Sequence, residues 1–478
     1  MRDFSVLGCL SQAPGLTAES RLTCDSRQIR PGDVFAAARG QCQDGRKYID
    51  SAAAAGAAAV IYENDDGFAW HNANVPSLGV AHLSARLPEL ADGFYGRPSS
   101  RLGIIGITGT NGKSSTAFYI AQLLSGAGIP CGIVGTVGNG FPDHLEPSPN
   151  TTPGPVEIQQ ELLRQEGMGA RWVAMEVSSH GIAQGRINGL RFRGTVFTNV
   201  SRDHLDFHKT FEAYFDVKKG FVLGQREHPC VLNAADPLIR SRVIPEVAPE
   251  NRVTVGPEGD YAVSDIRPSG SGTSFRLASG GASRVLTVPL IGAFNVYNAL
   301  QAFAAVRHCT GTELDPGALE TLRPLKGRME IFRTGNSPLC LVDYAHTPDG
   351  LEKALTAARA HTEGKLISVV GCGGDRDRGK RPMMAEIASS LSDHVYFTDD
   401  NPRTEDPEQI IQDMLRGRIT CGNEVIHDRA AAIRKAVDSA GPQDTVLVAG
   451  KGHEEYQIVG TEKRHYSDQE TLRGILGL

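Results

Sequence analysis

Features of membrane and extracellular proteins are largely missing from this sequence. No apolar run approaches the roughly 20 residues that a membrane-spanning helix needs. Residues 1–15 include Asp3 and have no long apolar stretch, so we expect no secretory signal. The nine cysteines are odd in number and none stands in a CxxC pair. This pattern argues against a disulfide framework and a structural zinc site, and it predicts a protein of the reducing cytoplasm.

An excess of positive charge is also missing. The chain has 49 Lys and Arg against 55 Asp and Glu, a net charge of -6. This balance does not point to a nucleic-acid or lipid surface, so we expect neither as a partner. An anionic substrate would therefore have to be held by local basic groups and backbone N–H groups.

The length and the pattern of apolar residues predict an α/β protein of three domains. The chain has 478 residues, 40% hydrophobic and 22% charged, which is typical of a soluble globular protein of about three domains. A turn-rich linker at 97–100 and a new unit near Gly327 place the predicted domains at 1–98, 99–326 and 327–478.

Short apolar runs alternate with helical patterns, which predicts parallel sheets with both faces covered. In the first two domains we expect strands at 34–37, 60–62, 102–107, 172–175 and 195–198, and helices at 48–59 and 114–125. Between 260 and 290, three alternating runs are separated by turn-forming segments at 268–272 and 279–282. These runs predict a β-meander.

The third domain is predicted to be Rossmann-like, with strands at 339–342, 366–370, 395–398 and 446–449. Polar or glycine residues follow these strands at once: Asp343, Gly371, Asp400 and Gly450. Ligands of open α/β sheets bind beyond the carboxyl ends of the strands. We therefore expect the functional residues of this domain at these positions.

A glycine-rich segment between a predicted strand and a predicted helix has the features of a phosphate loop. Its residues are Gly109, Thr110, Asn111, Gly112, Lys113, Ser114 and Ser115. Glycines let backbone N–H groups face a phosphate, the lysine reaches the outer phosphates, and the serine hydroxyl can ligate Mg²⁺. The first glycine is Gly106, one residue earlier than the strict spacing, so the loop is a variant. The alternative is a glycine turn with a surface lysine.

Two further residues follow neighbouring predicted strands. Glu176 ends one strand and His204 lies just after the next, so both could point toward nucleotide phosphates. Mg²⁺ prefers oxygen ligands, and a lone histidine is more often a surface or hydrogen-bonded residue. The residues alone leave both interpretations of His204 open.

Taken together, the motifs resemble those of the Mur ligase superfamily, and within it the branch that adds meso-diaminopimelate. The resemblance covers nearly the whole chain and is carried by six segments: GTNGK at 109–113, MEVSSH at 175–180, DYAHTP at 343–348, GGDR at 373–376, DNPR at 400–403 and GKGHE at 450–454. It implies an ATP-dependent ligase, expected to be a monomer, that joins meso-diaminopimelate to UDP-N-acetylmuramoyl-L-alanyl-D-glutamate through an acyl phosphate in peptidoglycan precursor synthesis. It also implies a domain closure that assembles the site.

Residue roles follow from the same resemblance. Lys113, Glu176, His204 and Lys218 would be catalytic, with Ser114 on a first Mg²⁺ and Glu176, His204 and a carbamylated Lys218 on a second. ATP would be bound by the phosphate loop (109–115) together with Asn298, Arg328, Asp343 and His346.

The resemblance also implies two sets of substrate contacts. The UDP-linked substrate would be bound by Ser26, Thr151, Thr152, Ser178, Gln184 and Arg186. The amino acid would be bound by Arg376, Asp400, Asn401, Arg403, Gly450 and Glu454. The segment 41–45 departs from the family, where His-Gln-Ala is more usual before Asp-Gly.

Three alternatives remain open from sequence. A folylpolyglutamate synthase shares the phosphate loop but would lack the N-terminal unit and the DNPR segment. The lysine-adding ligase of the same pathway is a second alternative. A P-loop NTPase switch is a third, and the dense polar motifs of the last domain argue against it.

Overall fold

A computed structural model describes residues 3–40, 43–269 and 272–478, so Gln41 and Cys42 of the departing segment lie outside the described residues. Packing divides the chain into two compact units, Met1–Asp260 with Gln301–Leu314, and Tyr261–Leu300 with Asp315–Leu478. The boundaries of the three predicted domains stay a prediction. Within the described ranges, no helix is long and apolar enough to cross a membrane.

The N-terminal part of the first unit is a small parallel sheet in the order β1-β2-β3-β4. Alternate residues of β2 enter different apolar clusters, Val34 and Ala36 on one face and Phe35 and Ala37 on the other. Both faces are therefore covered, which explains the continuous apolar run. The elements are β1 (Leu22–Thr23), β2 (Val34–Ala37), α1 (Ile49–Ala54), β3 (Ala59–Glu63), β4 (Ser77–Val80) and α2 (Leu83–Phe94).

The rest of the first unit is built on a mostly parallel sheet in the order β12-β11-β10-β5-β9-β6-β7-β8, in which only the β6-β7 and β7-β8 pairs are antiparallel. Strand β5 lies between β10 and β9, so the loop that follows β5 is at the centre of the sheet edge. The strands are β5 (Gly103–Thr108), β6 (Cys131–Gly135), β7 (Gly138–Phe141), β8 (His144–Glu146), β9 (Trp172–Glu176), β10 (Phe192–Phe197), β11 (Cys230–Asn233) and β12 (Arg252–Gly256). The helices are α3 (Lys113–Gly126), α4 (Pro155–Gly167), α5 (Ser179–Ala183), α6 (Leu205–His208), α7 (Phe211–Gly224) and α8 (Pro237–Arg242).

The second unit begins with the predicted meander, in which β14 pairs antiparallel with both β13 and β15. The elements are β13 (Tyr261–Ser269), β14 (Gly272–Ser279) and β15 (Ala282–Val288), followed by the long helix α9 (Ala293–Thr310). Residues 293–300 of α9 belong to this unit, and residues 301–310 belong to the first. The turn predicted at 268–272 was wrong in its extent, because Pro268 and Ser269 still pair with β14 as part of β13. Proline fits there because it opposes Thr273 near the end of the hairpin, where fewer ladder bonds are needed.

The C-terminal part of the second unit is a sheet in the order β16-β17-β21-β18-β19-β20, parallel except for the β16-β17 pair. Leu341 and Leu447 face one apolar cluster, while Val342 and Val446 face the other. The strands are β16 (Glu330–Phe332), β17 (Leu339–Asp343), β18 (Leu366–Val370), β19 (His394–Phe397), β20 (Gly422–Val425), β21 (Thr445–Ala449), β22 (Tyr456–Val459) and β23 (Glu462–His465). The helices are α10 (Pro348–Ala360), α11 (Lys380–Leu391), α12 (Pro407–Leu415), α13 (Arg429–Asp438) and α14 (Asp468–Leu476).

These elements confirm the predicted fold class, three α/β sheet regions. The helix predicted at 48–59 is shorter than expected, since α1 ends at Ala54 and Gly56 adopts a φ of +96°. A left-handed glycine just past a helix is a common stop signal. Helix α2 was not predicted, because it contains Pro88 in its interior.

An ion pair closed off from water ties the starts of α13 and α14 together. Arg429 Nε and Nη2 donate to the two carboxylate oxygens of Asp468 at 2.8 and 2.9 Å, and Nη2 also donates to Ala449 O at 3.0 Å. The two side chains are 1% and 0% exposed. Removing one partner would leave a buried charge uncompensated.

We predict that Asp468→Asn lowers the free energy of unfolding by about 3 kcal/mol or more, the usual cost of breaking a buried ion pair. The measurement is a urea titration followed by circular dichroism. Glu462→Gln is the matched control, because Glu462 pairs with Arg464 at an exposed site and such pairs contribute under about 1 kcal/mol. Equal transition midpoints for the two variants would contradict the prediction.

Candidate functional site

The glycine-rich loop connects the end of β5 to the start of α3, as predicted. Gly109 adopts a φ of +146° and Gly112 a φ of +83°. A Cβ built on Gly109 would lie 1.9 Å from Thr198 Oγ1, so only glycine fits this position. The loop leads directly to the N-terminus of the 14-residue helix α3. The first N–H groups of a helix have no partner within it, and they favour an anion.

The residues after β10 hold the loop in place. Thr110 N donates to Asn199 O at 2.9 Å, and Asn111 N donates to Asn199 Oδ1 at 3.0 Å. In return, Asn199 Nδ2 and Thr198 Oγ1 donate to Asn111 O at 2.9 and 2.6 Å. These four hydrogen bonds fix the backbone of the loop. Sequence reasoning missed Thr198 and Asn199, although Thr198 ends the predicted strand 195–198 and Asn199 follows it.

Two lysines converge on one carbonyl oxygen of this loop. Lys113 Nζ donates to Gly109 O and Thr110 O, both at 2.9 Å, and Lys218 Nζ donates to Gly109 O at 2.8 Å. Lys218 is 1% exposed on α7. Burial, and then the charge of Lys113, holds the pKa of Lys218 well below its usual value.

Glu176 ends β9 beside the first turn of α3. Its Oε2 accepts from Ser114 Oγ and Thr136 Oγ1, both at 3.0 Å, and its Oε1 accepts from Thr136 N at 2.8 Å. The carboxylate is 1% exposed. Carboxylate and hydroxyl oxygens are ligands that Mg²⁺ prefers, so Ser114 and Glu176 together fit a magnesium ion.

His204 lies on the same side of the first unit but is less enclosed. Its ring packs edge-on against His180, with ring centres 4.8 Å apart, and lies 6.2 Å from the Tyr214 ring. Lys218 Nζ lies 4.9 Å from the same tyrosine ring. Partial burial lowers the pKa of His204, and Asp203 opposes that shift. In the part of the chain that the structure describes, no three His, Cys, Asp or Glu side chains gather into a metal site.

Four of the residues predicted to contact the UDP-linked substrate are joined by hydrogen bonds to one another and to the backbone of Glu176. Thr152 Oγ1 donates to Glu176 O and accepts from Ser178 N, both at 2.9 Å. Arg186 Nη1 donates to Thr152 O at 2.7 Å, and its Nε donates to Gln184 Oε1 at 2.8 Å.

Two more predicted contacts complete this set. Thr151 Oγ1 lies 2.9 Å from Thr136 Oγ1, which itself donates to Glu176. Ser26 lies in the N-terminal sheet region, in the short helix Ser26–Gln28. Asp25 caps that helix by accepting from Arg27 N at 3.0 Å.

In the second unit, two predicted arginines flank one glycine. A Cβ built on Gly373 would lie 2.8 Å from Arg403 Nη1 and 3.8 Å from Arg376 Cγ. Arg403 adopts a φ of +52°, and its Nη1 donates to Gly374 O at 2.8 Å. Arg403 N donates to Ile458 O at 3.0 Å, so the hairpin β22-β23 holds its backbone.

Opposite charges gather around the ends of β19 and β21. Asn401 Nδ2 donates to Glu454 Oε2 at 2.9 Å, and a Cβ on Gly450 would lie 2.6 Å from Asp400 Oδ2. Lys451, which sequence reasoning left without a role, donates to Asn401 Oδ1 at 3.0 Å. Burial lowers the pKa of Lys451, whereas Asp400 and Glu454 act in the opposite direction.

The predicted nucleotide contacts of the second unit surround Tyr344, apart from Asn298. The Arg328 guanidinium lies 4.9 Å from the centre of the Tyr344 ring, and His346 Nδ1 donates to Tyr344 O at 2.8 Å. Asp343 Oδ2 accepts from Met329 N at 2.8 Å.

Asn298 lies on α9 and is 4% exposed. Its Nδ2 donates to Asn295 Oδ1 at 3.3 Å, one turn earlier on the helix.

The first unit can therefore gather a polyphosphate, a divalent cation and a carboxylate in one place. The loop N–H groups and Lys113 suit the phosphates, Ser114 and Glu176 suit the cation, and Arg186 suits a carboxylate. The second unit offers paired guanidinium groups near paired carboxylates, an arrangement that suits a zwitterionic group.

Family profiles match three consecutive parts of the chain. They are described as "Mur ligase family, catalytic domain" at 20–95, "Mur ligase middle domain" at 107–306 and "Mur ligase, glutamate ligase domain" at 327–452.

Curated relatives and a solved structure match nearly the full length. The UDP-N-acetylmuramoyl-L-alanyl-D-glutamate–2,6-diaminopimelate ligase of Vibrio vulnificus is 43% identical, covering 97% of this chain and 95% of that protein. The enzyme of the same name from Alkalilimnicola ehrlichii is 44% identical over 95% and 94% of the two chains. A solved structure with this name has a TM-score of 0.67 and 34% identity, covering 96% and 94%.

We predict that Gly109→Ala abolishes nucleotide binding, because the added methyl group would clash with Thr198 and displace the loop. The measurement is ATP affinity by isothermal titration calorimetry. Gly126→Ala serves as the control, since it lies in α3 with nothing within 4 Å of the added Cβ. Wild-type affinity in Gly109→Ala would show that the loop does not hold the nucleotide.

Proposed function

This chain belongs to the Mur ligase family, and we propose that its phosphate loop and its charged amino-acid site together run an acyl-phosphate ligation. It is an ATP-dependent, amide-forming ligase of peptidoglycan precursor synthesis. It adds meso-diaminopimelate to the D-glutamate of UDP-N-acetylmuramoyl-L-alanyl-D-glutamate. Relatives with that name match along nearly the whole chain, which favours this function over a folylpolyglutamate synthase or an NTPase switch.

The observation that carries the choice of amino acid is the grouping of charges in the second unit. Meso-diaminopimelate has an ammonium and a carboxylate at its far end, whereas lysine has only the ammonium. Arg403 and Arg376 flank Gly373, and a guanidinium binds a carboxylate with two parallel hydrogen bonds. Asp400 and Glu454 supply the negative charge that an ammonium needs.

Activation of the carboxylate is the first chemical step. A carboxylate and an amine do not condense at neutral pH. In the proposed step, a γ-carboxylate oxygen of the D-glutamyl residue attacks the γ-phosphorus of ATP, and the bond to the bridging oxygen breaks to release ADP. Lys113 and the loop N–H groups hold the phosphates, and Arg186 orients the carboxylate.

Amide formation is the second step. The amine of meso-diaminopimelate attacks the acyl carbon, the bond to the phosphate oxygen breaks, and phosphate leaves with the electron pair. The amine nitrogen gives up its extra proton to the departing phosphate. The roles proposed for Asn298, Arg328, Asp343 and His346 are contacts to the nucleotide.

Magnesium, when bound, would neutralise phosphate charge during the transfer. Ser114 would hold a first ion and Glu176 a second, and the 3.0 Å contact between their side-chain oxygens supports the proposal that the two ions would lie close together. We propose that Lys218 contributes after reaction with CO₂, in which the amine nitrogen bonds to the carbon and a proton is released. The product is an anionic carbamate, which would place oxygen ligands beside Lys113 and toward His204. The burial of Lys218 supports this proposal.

A panel assay tests the function as a whole. Phosphate release is measured with ATP, the UDP-linked dipeptide and one amino acid at a time. We expect turnover with meso-diaminopimelate and at least roughly a thousandfold lower kcat/KM with L-lysine, because lysine would leave Arg403 desolvated and unpaired. Equal use of L-lysine would favour the lysine-adding alternative, and amino-acid-independent hydrolysis would favour the switch.

We predict that Arg403→Ala lowers kcat/KM for meso-diaminopimelate by about a hundredfold or more, because a buried carboxylate loses its charged partner. The KM values for ATP and the UDP-linked substrate should change little. Arg416→Ala is the matched control, since the Arg416 side chain is 73% exposed and its ion-pair partner among the described residues is Asp413, at 3.4 Å. Undiminished use of meso-diaminopimelate by Arg403→Ala would place the selectivity elsewhere.

We predict that Lys218→Ala is nearly inactive and that short carboxylates such as formate or acetate partly restore turnover. The control is Lys219→Ala, the neighbouring lysine on α7, which pairs with Glu246 and should retain activity. Intact-mass spectra of the active wild type should show the added mass of CO₂. An unmodified Lys218 in an active, nucleotide-bound enzyme would refute the carbamate.

A further inference from the structure

Lys451 is a fully buried lysine inside the amino-acid site. It follows Gly450 directly after β21, and its side chain is 0% exposed. Its Nζ donates to Asn401 Oδ1 at 3.0 Å and to Glu454 Oε2 at 3.5 Å, and it lies 4.0 Å from Asp400 Oδ1. A buried ammonium is costly unless it is paired and hydrogen-bonded, so these contacts account for its presence.

The surroundings of Lys451 are otherwise aromatic and charged. The rings of Tyr456 and Tyr466 have their centres 5.8 and 5.9 Å from Nζ. Tyr466 Oη donates to Asp468 Oδ1 at 3.1 Å, and the charge of Asp468 is compensated by the buried Arg429. The negative charge that directly faces Lys451 therefore comes from Asp400 and Glu454.

Asn401 links Lys451 to the rest of the site. Its Oδ1 accepts from both Lys451 Nζ and Ile458 N, at 3.0 and 2.9 Å, and its Nδ2 donates to Glu454 Oε2 at 2.9 Å. Ile458 lies on the hairpin strand whose carbonyl accepts from Arg403 N. Lys451 thus contacts Asn401 and Glu454 directly. Through Asn401 it is also connected to Ile458, whose carbonyl holds the backbone of Arg403.

We propose that Lys451 is a positioning residue of the amino-acid site, which fixes Asn401 and Glu454 and offsets one of the two carboxylate charges. Two carboxylates and one ammonium leave a net charge of about -1, which matches the single ammonium at the far end of meso-diaminopimelate. Without Lys451, two unneutralised carboxylates would repel each other, and Glu454 would lose a hydrogen-bond donor. The proposal rests on the function proposed above.

Lys451→Met tests this role, because it keeps an unbranched side chain of nearly the same size and removes the charge. We expect KM for meso-diaminopimelate to rise about tenfold or more, the usual effect of losing a hydrogen bond to a charged group. The KM values for ATP and the UDP-linked substrate should stay within about twofold, as expected for distant, independent sites. Lys435→Met is the control, since Lys435 is an exposed lysine paired with Glu424 and should behave like the wild type. An equal loss of kcat/KM for all three substrates would show that Lys451 has a merely structural role and would overturn the proposal.

A double-mutant cycle with Glu454→Gln shows whether Lys451 acts through Glu454. If it does, the combined variant should raise KM for meso-diaminopimelate by much less than the product of the two single effects. Effects that multiply would overturn the proposal. Should Lys451→Met fail to give a native melting transition, Lys451→Gln replaces it in the same measurements.

The two proposals fail in different ways. A wild type that does not use meso-diaminopimelate would overturn the proposed function. A wild type that uses it, together with a folded Lys451→Met variant of unchanged KM, would overturn the role of Lys451 and leave the function intact.

Discussion

The convergence of two lysine amines on one backbone oxygen is the constraint around which the first unit is organised. Lys113 and Lys218 both donate to Gly109 O, and burial together with the charge of Lys113 lowers the pKa of Lys218. The arrangement holds because the loop is pinned by Asn199 and because Gly109 has no side chain. Lys113 and the N–H groups at the start of α3 therefore belong to one anchored loop, an arrangement that suits a polyphosphate.

In the second unit, too, charged side chains are held in place by hydrogen bonds, but carboxylates and cations lie side by side. Its charged groups also follow parallel strands, Asp400 after β19 and Gly450 with Lys451 after β21. Here both signs are present, and each charge is held by a backbone or side-chain partner. Neither unit depends on a net field of the protein, as expected for a chain with a charge of only -6. Specific recognition comes from local geometry.

Features that depend on residues adjacent in the sequence could be predicted from the sequence alone. The apolar runs located central strands such as β5, β9 and β18, and the Gly-Lys-Ser pattern located the glycine-rich loop at the end of β5. Residues whose role depends on tertiary contacts were not predictable in this way. Thr198 touches Gly109 only because β10 lies beside β5. Lys218 was singled out by family resemblance, and Lys451 reads as an ordinary lysine until its burial is known.

The close placement of guanidinium groups and carboxylates in the second unit has a consequence for inhibitor discovery. A compound that fills this site must carry both charges, because an uncharged mimic would remove water from Arg403 and Glu454 without giving them charged partners. Molecules with two fixed charges partition poorly into hydrocarbon and diffuse slowly across lipid bilayers. Compounds aimed at Arg403 and Glu454 would therefore depend on active uptake by amino-acid or peptide transporters.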